Sequence, residues 1–346
     1  MEKKISIKDI AKRVGVSAAL VSYVLNNKER EARVGKQVAE KVRRVARSLN
    51  YQPNLIARSL QSGRTHTLGL IVADISNPFF SYIARVIEDE ANRHGYTVII
   101  GSSDEQASKS ASLIGAFLNR QVDGLIIAPA EQTERQLQNL LNDRFPFVLI
   151  DRYFDGMNAN TVHIDNYQSS YHAVEKLIRN GYCGIGMMAY DTDLPHMQER
   201  IRGYTAALMQ NGIRARRNWL QKAGYTNLDK DVQNGLREVL TRKDAPDAFF
   251  FATNSLAISG LKYIYREGIR VPEELGIVSF DESDAFDFFY APVSYVRQSI
   301  EDIGKRALDI LMNQIKNPNG KKEHVIIETR LIERKSSVRP VIKSAG

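Results

Sequence analysis

Three amphipathic stretches open the chain, and after residue 65 the pattern changes to short apolar runs alternating with helical stretches. In the first stretch Ile7, Ile10, Ala11 and Val14 recur at helical spacing. Ser6 and Asp9 stand before it as a capping box, able to satisfy free amides at the helix start. Gly15 suits the left-handed position that ends a helix, and Ser17 is placed to cap the next one after only two residues. The second helix, residues 18 to about 25, turns Val21, Val24 and Leu25 inward, while small Ala11 lets the two helices approach. Ala18, Ala19, Ser22 and Tyr23 are left outside. A third helix near 36–49 carries Val38, Val42, Val45 and Leu49 at core spacing, with Lys41, Arg43, Arg44 and Arg47 outside. Residues 1–52 therefore read as an all-α N-terminal helix-turn-helix head. Tyr51-Gln52-Pro53-Asn54 then interrupts the helices, and Asn54 could cap a short segment over 55–61. Such a segment is below the roughly 12 residues needed for even marginal isolated helicity, so residues 53–65 read as a hinge and linker.

Beyond the linker, strands are expected at 68–73, 97–100, 125–128, 148–150, 185–188, 248–251 and 277–280. Helical stretches lie between them, several stopped by glycine: Gly95, Gly181, Gly212 and Gly268. Alternation of this kind implies parallel sheets covered on both faces. The number of strands suggests two doubly wound lobes: one of about 66–162 plus 295–322, the other of about 163–291 plus 323–340. Ligand-contacting residues in such sheets come from loops at the carboxyl ends of strands. Asp74, Asp151, Asn254 and Asp281 stand at those places.

The net charge of +8 changes the picture once it is divided along the chain. Residues 1–65 hold 15 Lys and Arg against 5 Asp and Glu, and the remainder holds 33 against 35. A basic, compact module on a neutral body points to a polyanion partner. The one cysteine, Cys183, excludes an intramolecular disulfide and fits a reducing cytoplasm. The start MEKKISIKDIAKR lacks an apolar export segment, and no run of about 18 apolar residues suggests a membrane span.

The runs IKDIAKRVGVSAALVSYVLNN and VAEKVRRVARSLNYQPNLIARSLQSGRTHTLGLIVADISNPFF resemble the lactose-repressor (LacI/GalR) family of regulators, and the resemblance continues almost to the C-terminus. It implies an α/β periplasmic-binding-protein-like sensor behind the head, with ligand between lobes that close about a hinge. It also implies a homodimer on double-stranded operator DNA, with the second helix in the major groove. The contacts would then fall on Ala18, Ala19, Ser22 and Tyr23, with Ser17, Leu20 and Asn26 beside them. Many relatives carry Thr where Leu20 stands and Arg where Tyr23 stands, and Tyr23 cannot make the bidentate guanine contact of an arginine. In the linker the resemblance implies a hinge helix entering the minor groove, with Leu60 as a wedge, Ala57 at a close-packed position, and Asn54 and Arg58 among the contacts. For the sensor it implies a small-molecule effector held by Phe79, Phe80, Arg200, Tyr225, Asn254, Asp281 and Gln298, alongside Asp74 and Asp151. Many relatives have Asp where Ser255 stands.

Catalysis is the main alternative for doubly wound sheets, and its motifs are missing. Gly184-Ile185-Gly186 has no third glycine at dinucleotide-binding spacing, Gln61-Ser62-Gly63-Arg64 lacks the phosphate-loop lysine, and no G-x-S-x-G turn exists. The six histidines include no i,i+4 pair, so no metal or cofactor is expected. A free solute-binding protein would explain the lobes but not the basic head. An arginine with carboxylates and flanking aromatic faces suits a sugar or sugar derivative, with a nucleoside or purine as the alternative.

Overall fold

The computed structural model describes residues 5–51 and 63–340, so the expectations for Asn54, Ala57, Arg58 and Leu60 lie outside the described residues. The chain divides into two compact units, Met1–Thr65 and His66–Gly346.

The first unit holds α1 (Ile7–Val14), α2 (Ala18–Leu25) and α3 (Lys36–Ser48). Its boundaries follow the local chemistry. The Ser6 hydroxyl accepts from the Asp9 amide while the Asp9 carboxylate accepts from the Ser6 amide. Gly15 ends α1 at φ 83°, and Ser17 caps α2 by accepting from the Leu20 amide. Ile10, Ala11, Val14, Val21 and Val24 bury the α1–α2 pair against α3. The buried stripe of α3 is Ala39, Val42 and Ala46; Val45 and Leu49 flank it, and Val38 is only half-buried. The expected stripe was rotated because a count of large apolar residues overlooks alanines, which bring a helix closer to its neighbours.

The second unit contains two six-stranded sheets. Sheet one runs β11–β5–β4–β3–β1–β2, built from β1 (Thr67–Val72), β2 (Thr97–Ser102), β3 (Gly124–Ile127), β4 (Phe147–Ile150), β5 (Asn160–Ile164) and β11 (His324–Ile327). Sheet two runs β12–β10–β9–β8–β6–β7, built from β6 (Ile185–Tyr190), β7 (Leu220–Ala223), β8 (Ala248–Phe251), β9 (Gly276–Phe280), β10 (Ser294–Gln298) and β12 (Thr329–Ile332). Among the described residues only the β10–β12 pair is antiparallel. The central strands FVLI (β4) and AFFF (β8) are buried at every position, as strands covered on both faces must be.

The helices between them are α4 (Pro78–Arg93), α5 (Ala107–Asn119), α6 (Glu134–Asn142), α7 (Asn166–Arg179), α8 (Pro195–Gln210), α9 (Leu228–Leu240), α10 (Asn254–Arg266), α11 (Ala285–Phe288) and α12 (Ile300–Lys316). The lobe boundaries differ from the expectation at all three crossings. His163 and Ile164 remain in β5 of sheet one, and β10 stays in sheet two because Ser294, Tyr295 and Val296 register against Val278, Ser279 and Phe280. Residues 324–327 then pair with β5 in sheet one, not in lobe two. β11 is a half-exposed edge strand, and β5 (NTVHI) and β10 (SYVRQ), though interior, carry polar residues, so the apolar pattern of all three is too weak to place from sequence.

Candidate functional site

The two units each carry a candidate surface. In the head, Ala19, Tyr23 and Asn26 of the second helix and its cap are exposed, Tyr23 at 44%. Ser22 is half-buried, and its hydroxyl accepts from Asn26 Nδ2 at 3.3 Å. Ser17 is exposed, yet its hydroxyl is already engaged with the Leu20 amide. Ala18 and Leu20 pack partly against the head core, because an eight-residue helix leaning on Val21 and Val24 must seat its flanking positions too. Basic side chains divide similarly. Lys41 donates to the Val14 carbonyl at the end of α1, and Arg43 donates to Glu29 at 2.6 Å and to the Asn27 side chain. Both therefore brace the fold, whereas Arg44 is left exposed on α3.

In the sensor, the carboxyl ends of β1, β4, β6, β8 and β9 converge on a cavity of about 260 Å³. Asp74, Phe79, Phe80, Asp151, Arg200, Tyr225, Asp281 and Gln298 line it. The local sequence aims them. Asn77 caps α4 by accepting from the Phe79 amide, with Pro78 in the first turn, so SNPFF brings both phenyl rings to the cavity wall. Asp151 and Asp281 follow β4 and β9 at φ 64° and 65°, a left-handed conformation that aspartate tolerates better than most residues.

Arg200 is 2% exposed and lies on α8, which packs closely on α7. A Cβ on Gly203 would collide with the Tyr167 carbonyl of α7, so only glycine permits this approach. The Ser170 hydroxyl donates to the Arg200 carbonyl at 2.7 Å and fixes the turn. The guanidinium donates to Asn166 Oδ1 at 2.8 Å and to the Ala252 carbonyl at 2.7 Å, and it lies 3.6 Å above the Phe280 ring. Its nearest carboxylate is Asp281 at 4.0 Å. Asp151 is not its direct partner; Arg152 is nearer to that carboxylate, at 3.5 Å. Gln298 donates to Asp281 at 2.6 Å.

Burial dominates the electrostatics. It pushes the Asp151 and Asp281 carboxyls above the usual carboxylate range against the opposing pull of the nearby guanidiniums. Burial also lowers Arg200, against Asp281 and Asp151, which raise it. His196 is driven well below its ordinary value by burial and then by Arg152 and Arg200, which keeps it neutral. Tyr190, buried and stacked on Tyr225 at 4.3 Å, is pushed up to about 12.

Of the expected ligand residues, Asn254 alone does not line the cavity. It is fully buried, donating weakly to Asn77 and to the Glu282 carbonyl, both at 3.4 Å, while Thr253 and Ser255 on either side line the cavity. As the first residue of α10 it hydrogen-bonds to Asn77 and Ser255, which themselves line the cavity. Sequence reasoning missed Arg152, Glu105, Tyr190 and His196, all of which line the cavity. Arg152 adjoins Asp151 and could have been found from that adjacency. Glu105 shows its role only through a partner 47 residues away. Among the described residues no three His, Cys, Asp or Glu side chains gather as a metal site, and no helix is long and apolar enough to cross a membrane.

Comparison with known proteins accounts for both units. Residues 6–54 match the model for bacterial regulatory proteins of the lacI family, and residues 174–337 match that of a periplasmic binding protein-like domain. The chain is 29% identical to a ribose operon repressor of Haemophilus influenzae, over 96% of its own length and 98% of the relative's. It is also 29% identical to the transcriptional repressor CytR of Escherichia coli K12, over 96% and 94%. A solved structure described as a ribose operon repressor from Burkholderia thailandensis superposes with a TM-score of 0.71 at 30% identity, over 78% of this chain and 99% of that one. The capped helix-turn-helix, the paired lobes and these likenesses together show that the chain belongs to the lacI family, as a DNA-binding transcription regulator with a periplasmic-binding-protein-like sensor.

Proposed function

We propose that this regulator works in the cytoplasm as a homodimer, binds double-stranded operator DNA through its head, and takes a sugar or sugar derivative as effector between the lobes of its sensor. The cavity carries the reading: carboxylates at the strand ends and guanidiniums beside them, flanked by Phe79, Phe80 and the stacked Tyr190–Tyr225 pair, in a space of about 260 Å³. Hydroxyl groups can both donate to the carboxylates and accept from the guanidiniums, while ring C–H faces lie on aromatic surfaces. Two atoms support a ligand in particular. Gln298 Oε1 and His196 Nδ1 are buried without a hydrogen-bond partner, each at a desolvation cost of about 1 to 3 kcal/mol that a polar ligand group would offset.

In the head, Ala19, Ser22, Tyr23 and Asn26 would meet base edges, and the segment with Asn54, Ala57, Arg58 and Leu60 would reach the minor groove. Ligand in the cleft would alter lobe closure, and linkage would then alter operator affinity. The protein catalyses no reaction and holds no cofactor in this reading.

A thermal-shift screen of the full chain against ribose, hexoses, glycosides, nucleosides and purines tests it, since a ligand at about 100 times its Kd stabilises by roughly 2.7 kcal/mol. A raised melting temperature with a sugar supports the reading; one with nucleosides or purines alone replaces the sugar by that class.

A further inference from the structure

The cavity wall is unbalanced in charge. Asp74, Asp104, Glu105, Asp151 and Asp281 contribute carboxylates; Arg152 and Arg200 contribute the cations, and no lysine lines the space. Neither guanidinium presents a free two-nitrogen fork to an anion. Arg200 is engaged with Asn166, the Ala252 carbonyl and the Phe280 ring. Arg152 presents its fork to Glu105, with hydrogen bonds of 2.6 and 2.7 Å to the two carboxylate oxygens. A bidentate fork of this kind is what would otherwise grip a phosphate or a carboxylate.

The backbone is bent to make this pair. Asp104 and Glu105 follow β2 at φ 49° and 58°, two successive non-glycine residues in the left-handed region. Such residues cost free energy and tend to sit where a site needs them. Helix starts at the cleft would favour an anion, but Asn77 already accepts from the Phe79 amide and Thr253 from the Leu256 amide. Their positive ends are thus partly satisfied within the protein.

We propose that Glu105 is a specificity-determining residue: by occupying the Arg152 fork it leaves the cleft rich in acceptors, so the sensor takes uncharged, donor-rich ligands and rejects their phosphorylated or carboxylated counterparts. This rests on the cleft being the effector site. The orphaned Gln298 Oε1 adds to the acceptor-rich wall, since an amide oxygen calls for a ligand donor such as a hydroxyl.

The test is calorimetric titration of the full chain with matched pairs: ribose and ribose 5-phosphate, glucose and glucose 6-phosphate, adenosine and adenosine 5′-monophosphate. Wild type should favour the neutral member of the binding pair by about 100-fold, the scale of a like-charge contact at intermediate dielectric. Glu105→Gln frees the fork and should narrow that ratio by roughly 10-fold, whereas Glu105→Asp, which keeps the charge, should restore most of it. A wild-type protein binding the anionic member as tightly as the neutral one overturns the proposal whatever the variants do, so a variant that fails to fold leaves it decidable. An unchanged ratio in folded Glu105→Gln overturns the role of Glu105. Neutral adenosine binding with no sugar binding sinks the sugar reading and leaves this one standing; a preferred sugar phosphate does the reverse. No binding in any pair overturns the cleft as effector site, and both readings with it.

Discussion

The head and the sensor satisfy their polar groups over very different distances along the chain. In the head the bonds that set the helix ends are local, Ser6 with Asp9, Ser17 with Leu20, Asn26 with Ser22, each within four residues, and the braces from Lys41 and Arg43 span 27 and 14. In the sensor they join residues far apart: Arg200 with Asn166 and Ala252 across 34 and 52 residues, Arg152 with Glu105 across 47, Asn254 with Asn77 across 177. The helix caps of the head are therefore cheap, nearly independent contacts, each worth about 1 kcal/mol. The cleft is a network in which one guanidinium is shared among several buried partners, and its parts should fail together.

The largest effect should come from Arg200→Ala. Losing a charged hydrogen bond costs about 1.5 to 3 kcal/mol, or roughly 10- to 150-fold in effector affinity. The location of the side chain adds a second loss, since Asn166 Oδ1 and the Ala252 carbonyl are left without their donor in a buried site. Ligand titration should therefore show weakened binding and melting should show a less stable sensor. A variant with wild-type affinity and wild-type melting would show that the network does not pass through Arg200.

Gly203→Ala should follow. The new methyl group would clash with the Tyr167 carbonyl, a backbone atom that cannot swing aside, so α8 must shift from α7. Overpacking of this kind costs about 1 to 3 kcal/mol. Because Ser170 ties α7 to the Arg200 carbonyl, ligand affinity should fall along with the melting temperature. Lower stability with unchanged affinity would separate the helix contact from the cleft.

This contrast in range explains what was legible in the sequence. The caps of α1 and α2 could be read because Ser6, Asp9, Gly15 and Ser17 carry their partners beside them. The core strands could be read because a strand buried on both faces, such as AFFF, is apolar throughout. Most of the expected effector residues line one cavity because strand ends in doubly wound sheets converge. Glu105 and Tyr190 were not legible: their meaning lies in Arg152 and Tyr225, which only the fold brings near. Edge strands β7, β11 and β12 and the interior strands β5 and β10 were missed, because polar residues, as in LQKA, NTVHI and SYVRQ, carry little apolar signal.

A pH experiment sharpens the comparison further. Burial raises the folded-state values of Asp151 and Asp281 above their unfolded ones, so the empty sensor binds protons there more tightly than the unfolded chain does. Their contribution to stability is thus present below the unfolded value and is lost as pH rises through the raised folded values. Hydroxyl donors from an effector favour the charged carboxylates and lower those values. Effector binding should release protons and weaken as pH falls through the raised range. His196, facing the same space, stays neutral and does not mask the effect near neutrality, and Arg152 and Arg200 remain charged. Calorimetry at one pH in two buffers of different ionisation heat measures the released protons. Equal heats in both buffers would mean that the ligand does not engage these carboxylates.

The smallest expected effect belongs to the head and tests the local end of the comparison. Ser17 stands where a base or phosphate contact is expected, but its hydroxyl accepts from the Leu20 amide at 3.2 Å and starts α2. Ser17→Ala removes the cap and should cost about 1 kcal/mol, confined to the head. Hydrogen exchange at the Leu20 amide should then quicken about 5-fold, the equivalent of that free energy, while exchange in the sensor and effector affinity stay unchanged. Ser17→Asn separates the two roles, because asparagine caps a helix as well as serine does yet presents a different group to DNA. If both variants weaken operator binding equally, Ser17 acts through a direct contact. If only alanine weakens it, the cap is the contribution, and local chemistry three residues wide governs how the recognition helix is presented.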